Sequence, residues 1–338
     1  MDFEPDRLEK FLKREVDGLA GPMRLERIGG GQSNPTFFVS FDNRALVLRK
    51  QPGTRLLPSA HAVDREYRVM KALAATDLPV PTMLLFHAEP DVVGTPFYMM
   101  ERLAGRVFPN YALPGMAPAE RRAIYLAMAE TMARLHQVDW AAIGLADYGR
   151  AGSYFSRQLA RWTKQWQMSR TRDSADIDRL MAWLPAHMPD ERETTICHGD
   201  FRLGNLMFHP TEPRVVGVLD WELSTLGHPL ADVAFNCIAY HTCPAEYGGI
   251  RGEDLAALGI PSEAEYLQHY YRHSGRSGNT DGVTTFHFAF ALFRLAVIFE
   301  GIAARALSGN ASSDNAAEVG ELGPIFARRA VEMIDAAA

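Results

Sequence analysis

Lysine and cysteine are the scarce residues of this 338-residue chain: five lysines stand against 30 arginines, and there are three cysteines. Cys197, Cys237 and Cys243 are too few for a disulfide framework and show no Cys-x-x-Cys spacing, which fits a reducing, cytoplasmic setting. The formal net charge is −6 and no basic arm or stripe interrupts it, so nucleic acid is not expected as a partner. The first eighteen residues are charged and lack the apolar segment of a signal peptide. The most apolar stretch, residues 286–305, is interrupted by His287, Arg294 and Glu300; it reads as a buried helix of a soluble protein, and no membrane partner is expected.

What is present is ordinary for a globular chain: 47% hydrophobic and 22% charged residues. The length suits two lobes, and the charge divides unevenly between them. Residues 1–102 carry 14 basic and 14 acidic groups, whereas residues 103–338 carry 21 basic and 27 acidic groups. The first part reads as a helix over 6–18, strand-like runs at 23–31, 35–41 and 44–50, a helix over 60–75, and two more strands at 83–90 and 96–103. From about residue 117 the pattern is helical, except for strand–loop–strand pieces around residues 193–222. The expected fold class is α+β: an N-terminal antiparallel sheet lobe (1–102) joined to a larger, mainly helical C-terminal lobe (103–338).

The stretch Cys197-His-Gly-Asp-Phe-Arg-Leu-Gly-Asn-Leu-Met-Phe208 carries the chemistry. Asp200 and Asn205 stand five apart in a glycine-containing loop, the spacing between base and metal-binding Asn in the catalytic loop of protein kinases. Asp220 follows an apolar strand fifteen residues later, where a second metal-binding carboxylate belongs. A transferred phosphoryl group needs a cation to neutralise it, and hard oxygen donors such as Asn205 and Asp220 suit Mg²⁺. The attacking hydroxyl needs a carboxylate to orient it and take its proton, the role of Asp200. Arg202 is a fixed cation within reach of the γ-phosphate. His198 reads as a loop anchor, Cys197 as a core residue, and Asp232 as a brace for the catalytic region. Glu222 reads either as a metal assistant or as a structural carboxylate.

In the N-terminal part, Ile28-Gly-Gly-Gly-Gln-Ser-Asn34 joins two strand-like runs. Gly30 and Gly31 allow backbone N–H groups to approach phosphate closely, and Ser33 adds a hydroxyl. The third strand ends in Arg49-Lys50, with Glu66 on the next helix as carboxylate partner. Adjacent strand residues face opposite sides, so one of the two cations points into the cleft and the other is a surface charge. Met100, Glu101 and Leu103 lie at the hinge, where backbone groups can bond adenine and a methionine can line its pocket. Trp162, Trp166, Tyr240, Tyr270, Tyr271, Phe286, Phe290 and Phe293 form either an apolar acceptor pocket or helical core.

On these motifs the chain resembles the aminoglycoside phosphotransferase-like kinase family over nearly its whole length. His198-Gly-Asp200-Phe-Arg202-Leu-Gly-Asn205 and Leu219-Asp220-Trp221-Glu222 carry the resemblance. The runs GGGQSNPTFFVS, LVLRKQPG and LLPSAHAVDREYRVM look closer to a branch containing kinase-like domains fused to acyl-CoA dehydrogenases in animals. The resemblance implies a bilobal protein-kinase-like fold with ATP and Mg²⁺ between the lobes. It implies Asp200 as base, Asn205 and Asp220 as metal ligands, and Glu66 as ion-pair partner. It aligns Arg49 with a position usually held by lysine, leaving Lys50 as the alternative phosphate contact. The activity it implies is phosphoryl transfer to the hydroxyl of a small molecule, with a hydroxyacyl compound or its CoA thioester favoured by the branch. The alternatives are an aminoglycoside or amino-alcohol phosphotransferase, and a nucleotide-binding pseudokinase. No segment between Asp220 and Gly-His-Pro-Leu-Ala-Asp-Val-Ala leaves room for the activation loop of a protein kinase.

Overall fold

The computed structural model describes residues 2–29, 34–53, 62–309 and 316–337. Helix α1 (Pro5–Glu15) opens on a proline, whose missing N–H costs nothing in a first turn, and ends with Lys13 and Arg14 at the negative end of the dipole. Strands β1 (Arg24–Arg27), β2 (Thr36–Ser40) and β3 (Ala45–Lys50) follow as an antiparallel meander. Helix α2 (Val63–Leu73) then leads to β4 (Met83–His87) and β5 (Phe97–Glu101). The five strands form one antiparallel sheet in the order β1-β2-β3-β5-β4: β5 returns to pair with β3 and leaves β4 at the edge.

This sheet separates two cores. Leu8, Phe11 and Leu12 of α1 pack with Phe37, Val39, Leu46, Leu48, Phe97 and Met99 on one face. On the other face, Val69, Met70 and Leu73 of α2 join Tyr98 in a cluster that continues into the rest of the molecule. Alternation along β3 and β5 produces the division: Leu46, Leu48 and Lys50 are paired with Glu101, Met99 and Phe97, while Val47 and Arg49 are paired with Met100 and Tyr98.

Beyond the hinge, β6 (Arg106–Val107) pairs with β8 (Leu206–Phe208), which pairs with β9 (Val215–Val218). Strand β7 (Thr195–Cys197) pairs with β10 (Thr225–Gly227). These two small sheets carry the loop from His198 to Asn205 and the turn at Asp220. Helices α3 (Pro118–Gln137), α4 (Tyr154–Ser169), α5 (Ala175–Ala186), α6 (Pro229–Asn236), α7 (Ile238–His241), α8 (Leu255–Leu258), α9 (Glu263–Ser274), α10 (Thr285–Leu307), α11 (Ala316–Gly320) and α12 (Leu322–Ala336) complete the larger lobe.

Helix α10 is the run 286–305 anticipated from the sequence. By length and composition it is apolar enough to cross a membrane, but 83% of its most apolar window is buried inside this fold. Its apolar sides contact α4, α6, α11 and α12, as expected of a helix at the centre of a lobe. Trp162, Trp166, Tyr270, Phe286, Phe290 and Phe293, candidates for an acceptor pocket, are buried members of the core instead.

Candidate active site

The loop after β7 is held from below by one carboxylate. Asp232, in the first turn of α6, accepts hydrogen bonds from the backbone N–H groups of His198 (2.5 Å) and Gly199 (2.9 Å). His136 Nε2 lies 3.5 Å from the same carboxylate. Burial alone would raise the Asp232 pKa; the contact with His136 and the Gly199 amide outweigh it and hold the group below the usual carboxylate range. Gly199 has φ +82°, and a Cβ there would sit 2.5 Å from the Leu223 carbonyl oxygen, so the turn requires glycine. His198 is buried and fully engaged: Nε2 donates to the Leu219 carbonyl (2.8 Å), and Nδ1 accepts from the Asp200 amide (3.2 Å). It therefore positions the loop and is not free to act as a base.

Asp200 emerges at the floor of a cleft. Its Oδ2 accepts from Asn205 Nδ2 (2.8 Å) and from Arg202 Nε (3.3 Å). Asn205 Nδ2 also reaches the Asp200 carbonyl (2.9 Å), which leaves its amide oxygen for a cation. Asp220 follows β9 in a left-handed conformation (φ 64°, ψ 62°), a costly backbone state for a non-glycine residue and one that clusters at functional sites. Arg49 reaches Asp220 from across the cleft: its guanidinium is 2.8 Å from Asp220 Oδ1, 2.9 Å from Glu66 Oε2 and 3.5 Å from Glu222 Oε2. Burial would lower the Arg49 pKa, but the Glu66 carboxylate, with Asp220 and Glu222, drives it above the normal arginine value. Burial raises the Glu66 pKa, with Arg49 opposing that shift.

The sequence left open which of two adjacent cations enters the cleft, and the sheet register decides it. Arg49 shares the cleft face with Thr36, Tyr98 and Val47's partner Met100. Lys50 points the other way and is corrected as a phosphate contact: its ammonium is buried against Asp2 Oδ2 (2.7 Å) and the Val93 carbonyl (2.7 Å), over the ring of Phe3. It is not the exposed surface charge that alternation alone suggests either. The α1 face is covered, and a lysine there is tolerated because its ammonium finds an acid and a carbonyl. Gly30, Gly31 and Ser33 lie outside the described residues.

Two residues missed by the sequence reading complete the Glu66 site. Asn34 Nδ2 donates to Glu66 Oε1 (2.6 Å), and the Tyr98 hydroxyl donates to Glu66 Oε2 (3.0 Å). Asn34 ends the glycine-rich run, which is the signal that could have marked it; Tyr98 has no local signal, since its role depends on the pairing of β5 with β3.

Two cavities meet at these side chains. One, of about 430 Å³, lies under the sheet and the hinge and is lined by Val47, Tyr98, Met100, Glu101, Leu103 and Asn205 among others. The Glu101 amide is already donated to the Thr82 carbonyl and that of Arg102 to the Ala45 carbonyl, so neither hinge N–H is available to a base. The second, of about 550 Å³, is lined by Asp200, Arg202 and Glu222 on one side and by Phe235, Tyr247 and a face of α10 on the other. Arg49 and Asp220 line both, which places them at the junction. The donor set at that junction, a carboxylate and an amide oxygen, is the kind that holds Mg²⁺.

Comparison with known proteins places this arrangement among relatives. The model of the phosphotransferase enzyme family matches residues 24–275. Acyl-CoA dehydrogenase family member 10 of Mus musculus is 45% identical over 326 residues, covering 95% of this chain but 30% of the mouse protein's length. The crystal structure of a Ralstonia eutropha protein assigned to the aminoglycoside phosphotransferases superposes with a TM-score of 0.89 at 46% identity, covering 98% of each chain. Aminoglycoside phosphotransferase APH(4)-Ia, crystallised with AMP-PNP and hygromycin B, shares the fold at 17% identity and a TM-score of 0.60, covering 95% of this chain and 98% of its own.

Proposed function

Because the chain belongs to the phosphotransferase enzyme family, we propose that it transfers the γ-phosphoryl group of ATP to a hydroxyl of a small molecule, with a hydroxylated acyl compound as the acceptor class. The observation that carries this reading is the convergence of Asp200, Asn205, Asp220 and Arg49 where two cavities meet. Val47, Met100, Leu103 and Met207 give the cavity beneath the hinge an apolar lining that suits a nucleotide base. The AMP-PNP bound to APH(4)-Ia supports ATP as the donor.

Each residue has a task in that reaction. The acceptor oxygen forms a bond to the γ-phosphorus as the bond to the β–γ bridging oxygen breaks; ADP leaves, and the hydroxyl proton passes to the Asp200 carboxylate. Asn205 and Arg202 hold that carboxylate through Oδ2, leaving Oδ1 for the acceptor hydroxyl. Asn205 Oδ1 and Asp220 would hold Mg²⁺, which supplies charge neutralisation to the phosphates when bound. Arg49, fixed by Glu66, presents its guanidinium to the nucleotide phosphates from the sheet side.

The second cavity supports this acceptor class. Its lining holds four guanidinium groups (Arg27, Arg49, Arg202, Arg294) against three carboxylates (Asp200, Asp220, Glu222). Such a surface gives no excess of negative charge to a polycationic aminoglycoside. Its far wall is apolar: Leu295, Ile298, Phe299 and Ile302 line it along α10. A hydroxyl near Asp200 with an apolar chain along α10 fits this division, and the acyl-CoA dehydrogenase name of the mouse relative points to the same chemistry. The three thiols, unpaired in the structure, support a reducing, cytoplasmic setting.

The test is turnover on a panel of hydroxyacyl-CoA thioesters, aminoglycosides, choline and amino alcohols, read as ADP release and as phosphorylated product by mass spectrometry. Hydroxyacyl compounds are expected to turn over fastest. Asp200→Asn is expected to lose about 10²–10⁴-fold in kcat with thermal stability retained. A folded Asp200→Asn protein with the wild-type rate would overturn the assignment of the base.

A further inference from the structure

Away from the cleft, three side chains on the outer edge of the larger lobe form a set that the phosphoryl-transfer chemistry does not use. Glu130 projects from α3, and His269 and His273, four residues apart, project from the same side of α9. One ligand atom of each lies within 4.8 Å of the others. His269 Nε2 is 2.8 Å from Glu130 Oε1, and His273 Nε2 is 3.7 Å from the same oxygen. The imidazole centroids are 4.3 Å apart.

We infer that Glu130, His269 and His273 form a binding site for a divalent transition metal of the Zn²⁺ type, pinning α3 to α9. Two imidazoles and one carboxylate are the donors Zn²⁺ selects, while the hard ions Mg²⁺ and Ca²⁺ take oxygen donors. At bond lengths of about 2.0–2.2 Å, ligand atoms around a tetrahedral ion are roughly 3.3 Å apart. The two measured nitrogen-to-oxygen separations bracket that value, so small side-chain movements suffice.

At His273 the hydrogen bonds favour the same atom; at His269 they oppose it. His273 Nδ1 is 2.8 Å from the His269 carbonyl, an acceptor only, so Nδ1 carries the proton and Nε2 keeps a lone pair facing Glu130. His269 Nε2 faces Glu130 as well; its Nδ1 is approached by Arg272 at 3.2 Å, a contact that must give way because a metal on Nε2 requires the proton on Nδ1. Arg134, 3.7 Å from Glu130 Oε2, is the second cation competing for the site. Glu130 and His273 retain solvent-exposed surface, which gives an ion its path in and leaves a position for water as a fourth ligand.

A metal here would act on the loop machinery only through packing. The next residue of α9, Tyr270, bonds His136 of α3 (2.8 Å), and His136 faces the Asp232 carboxylate that carries the catalytic loop.

The test is a titration of the chelator-stripped full chain with Zn²⁺ in excess Mg²⁺, followed by calorimetry and by thermal unfolding. One saturable equivalent is expected, with a midpoint of unfolding that rises with Zn²⁺ concentration. His273→Ala, at a half-exposed position, and His269→Ala are each expected to weaken binding at least about tenfold and to remove the thermal shift, with circular dichroism verifying the fold. Co²⁺ in place of Zn²⁺ is expected to show the visible absorption of a four-coordinate ion in the wild type and not in the variants. The proposal is overturned if the wild type shows no saturable site. It is equally overturned if both variants bind with wild-type affinity, which would put the ion on the cleft carboxylates or the thiols. Neither result bears on the role of Asp200, which the turnover assay tests separately.

Discussion

The two faces of the five-stranded sheet come from the same strands and do different things. The face under α1 is a small closed core of Leu8, Phe11 and Leu12 against Leu46, Leu48 and Met99. The face above the cleft carries Thr36, Val47, Arg49, Tyr98 and Met100, three of them polar and all lining a cavity. Arg49 and Lys50 are neighbours in sequence, yet one belongs to each face. Arg49 meets three carboxylates, two of them from the other lobe, whereas Lys50 meets Asp2 and the Val93 carbonyl within its own lobe. The lesson is that residue type did not assign the roles; position in the pleat did.

Substitutions on the two faces separate turnover from stability. The largest effect is expected at Arg49. Arg49→Met removes the cation that meets both Glu66 and Asp220; kcat is expected to fall about 10²–10³-fold, the scale for removing one charge-stabilising donor. It also strands the buried Glu66, at a cost of about 3–5 kcal/mol. Steady-state kinetics beside denaturant unfolding measure both, and an Arg49→Met enzyme with normal turnover would erase the functional difference between the faces. On the opposite face, Leu12→Ala empties a fully buried position. A loss of about 2–5 kcal/mol is expected, with turnover per folded molecule unchanged. The smallest effect is expected from Lys50→Met. Its apolar stem is replaced at similar volume, and the Val93 carbonyl loses its donor, so stability should drop by about 1 kcal/mol and turnover should hold. A loss of turnover in Lys50→Met comparable to that in Arg49→Met would show that the two faces are not independent.

Much of the site was legible because it is local in sequence. Asp200 and Asn205 share one loop five residues apart, and that spacing brings Asn205 Nδ2 to 2.8 Å from Asp200 Oδ2. Asp220 was legible as the residue ending an apolar strand. Glu66 was legible as the carboxylate on the helix after the cation-bearing strand. Tyr98 was not, because it acts through Glu66 across 32 residues and nothing local marks such a partnership; Asn34, equally far from Glu66, was marked only by its place at the end of the glycine-rich run. Whether the aromatic candidates lined an acceptor pocket or filled the core stayed open for a related reason. Helical periodicity identifies α10 but does not say which of its sides is covered. Phe286, Phe290 and Phe293 lie wholly in the core, whereas Leu295, Ile298 and Phe299 also line the cavity.

By itself, then, the sequence determined most of the elements, the order of an antiparallel sheet followed by a mainly helical part, and the placing of Asp200 and Asn205 in one loop, since periodicity and short-range spacing depend only on neighbours along the chain. It also determined that one of Arg49 and Lys50 must face the cleft. Which one, only the tertiary structure decided, because the answer depends on α1 covering one face of the sheet and α2 with the second lobe covering the other. The same holds for Glu130, His269 and His273: about 140 positions separate the first from the others, and only the packing of α3 against α9 brings their ligand atoms within 4.8 Å.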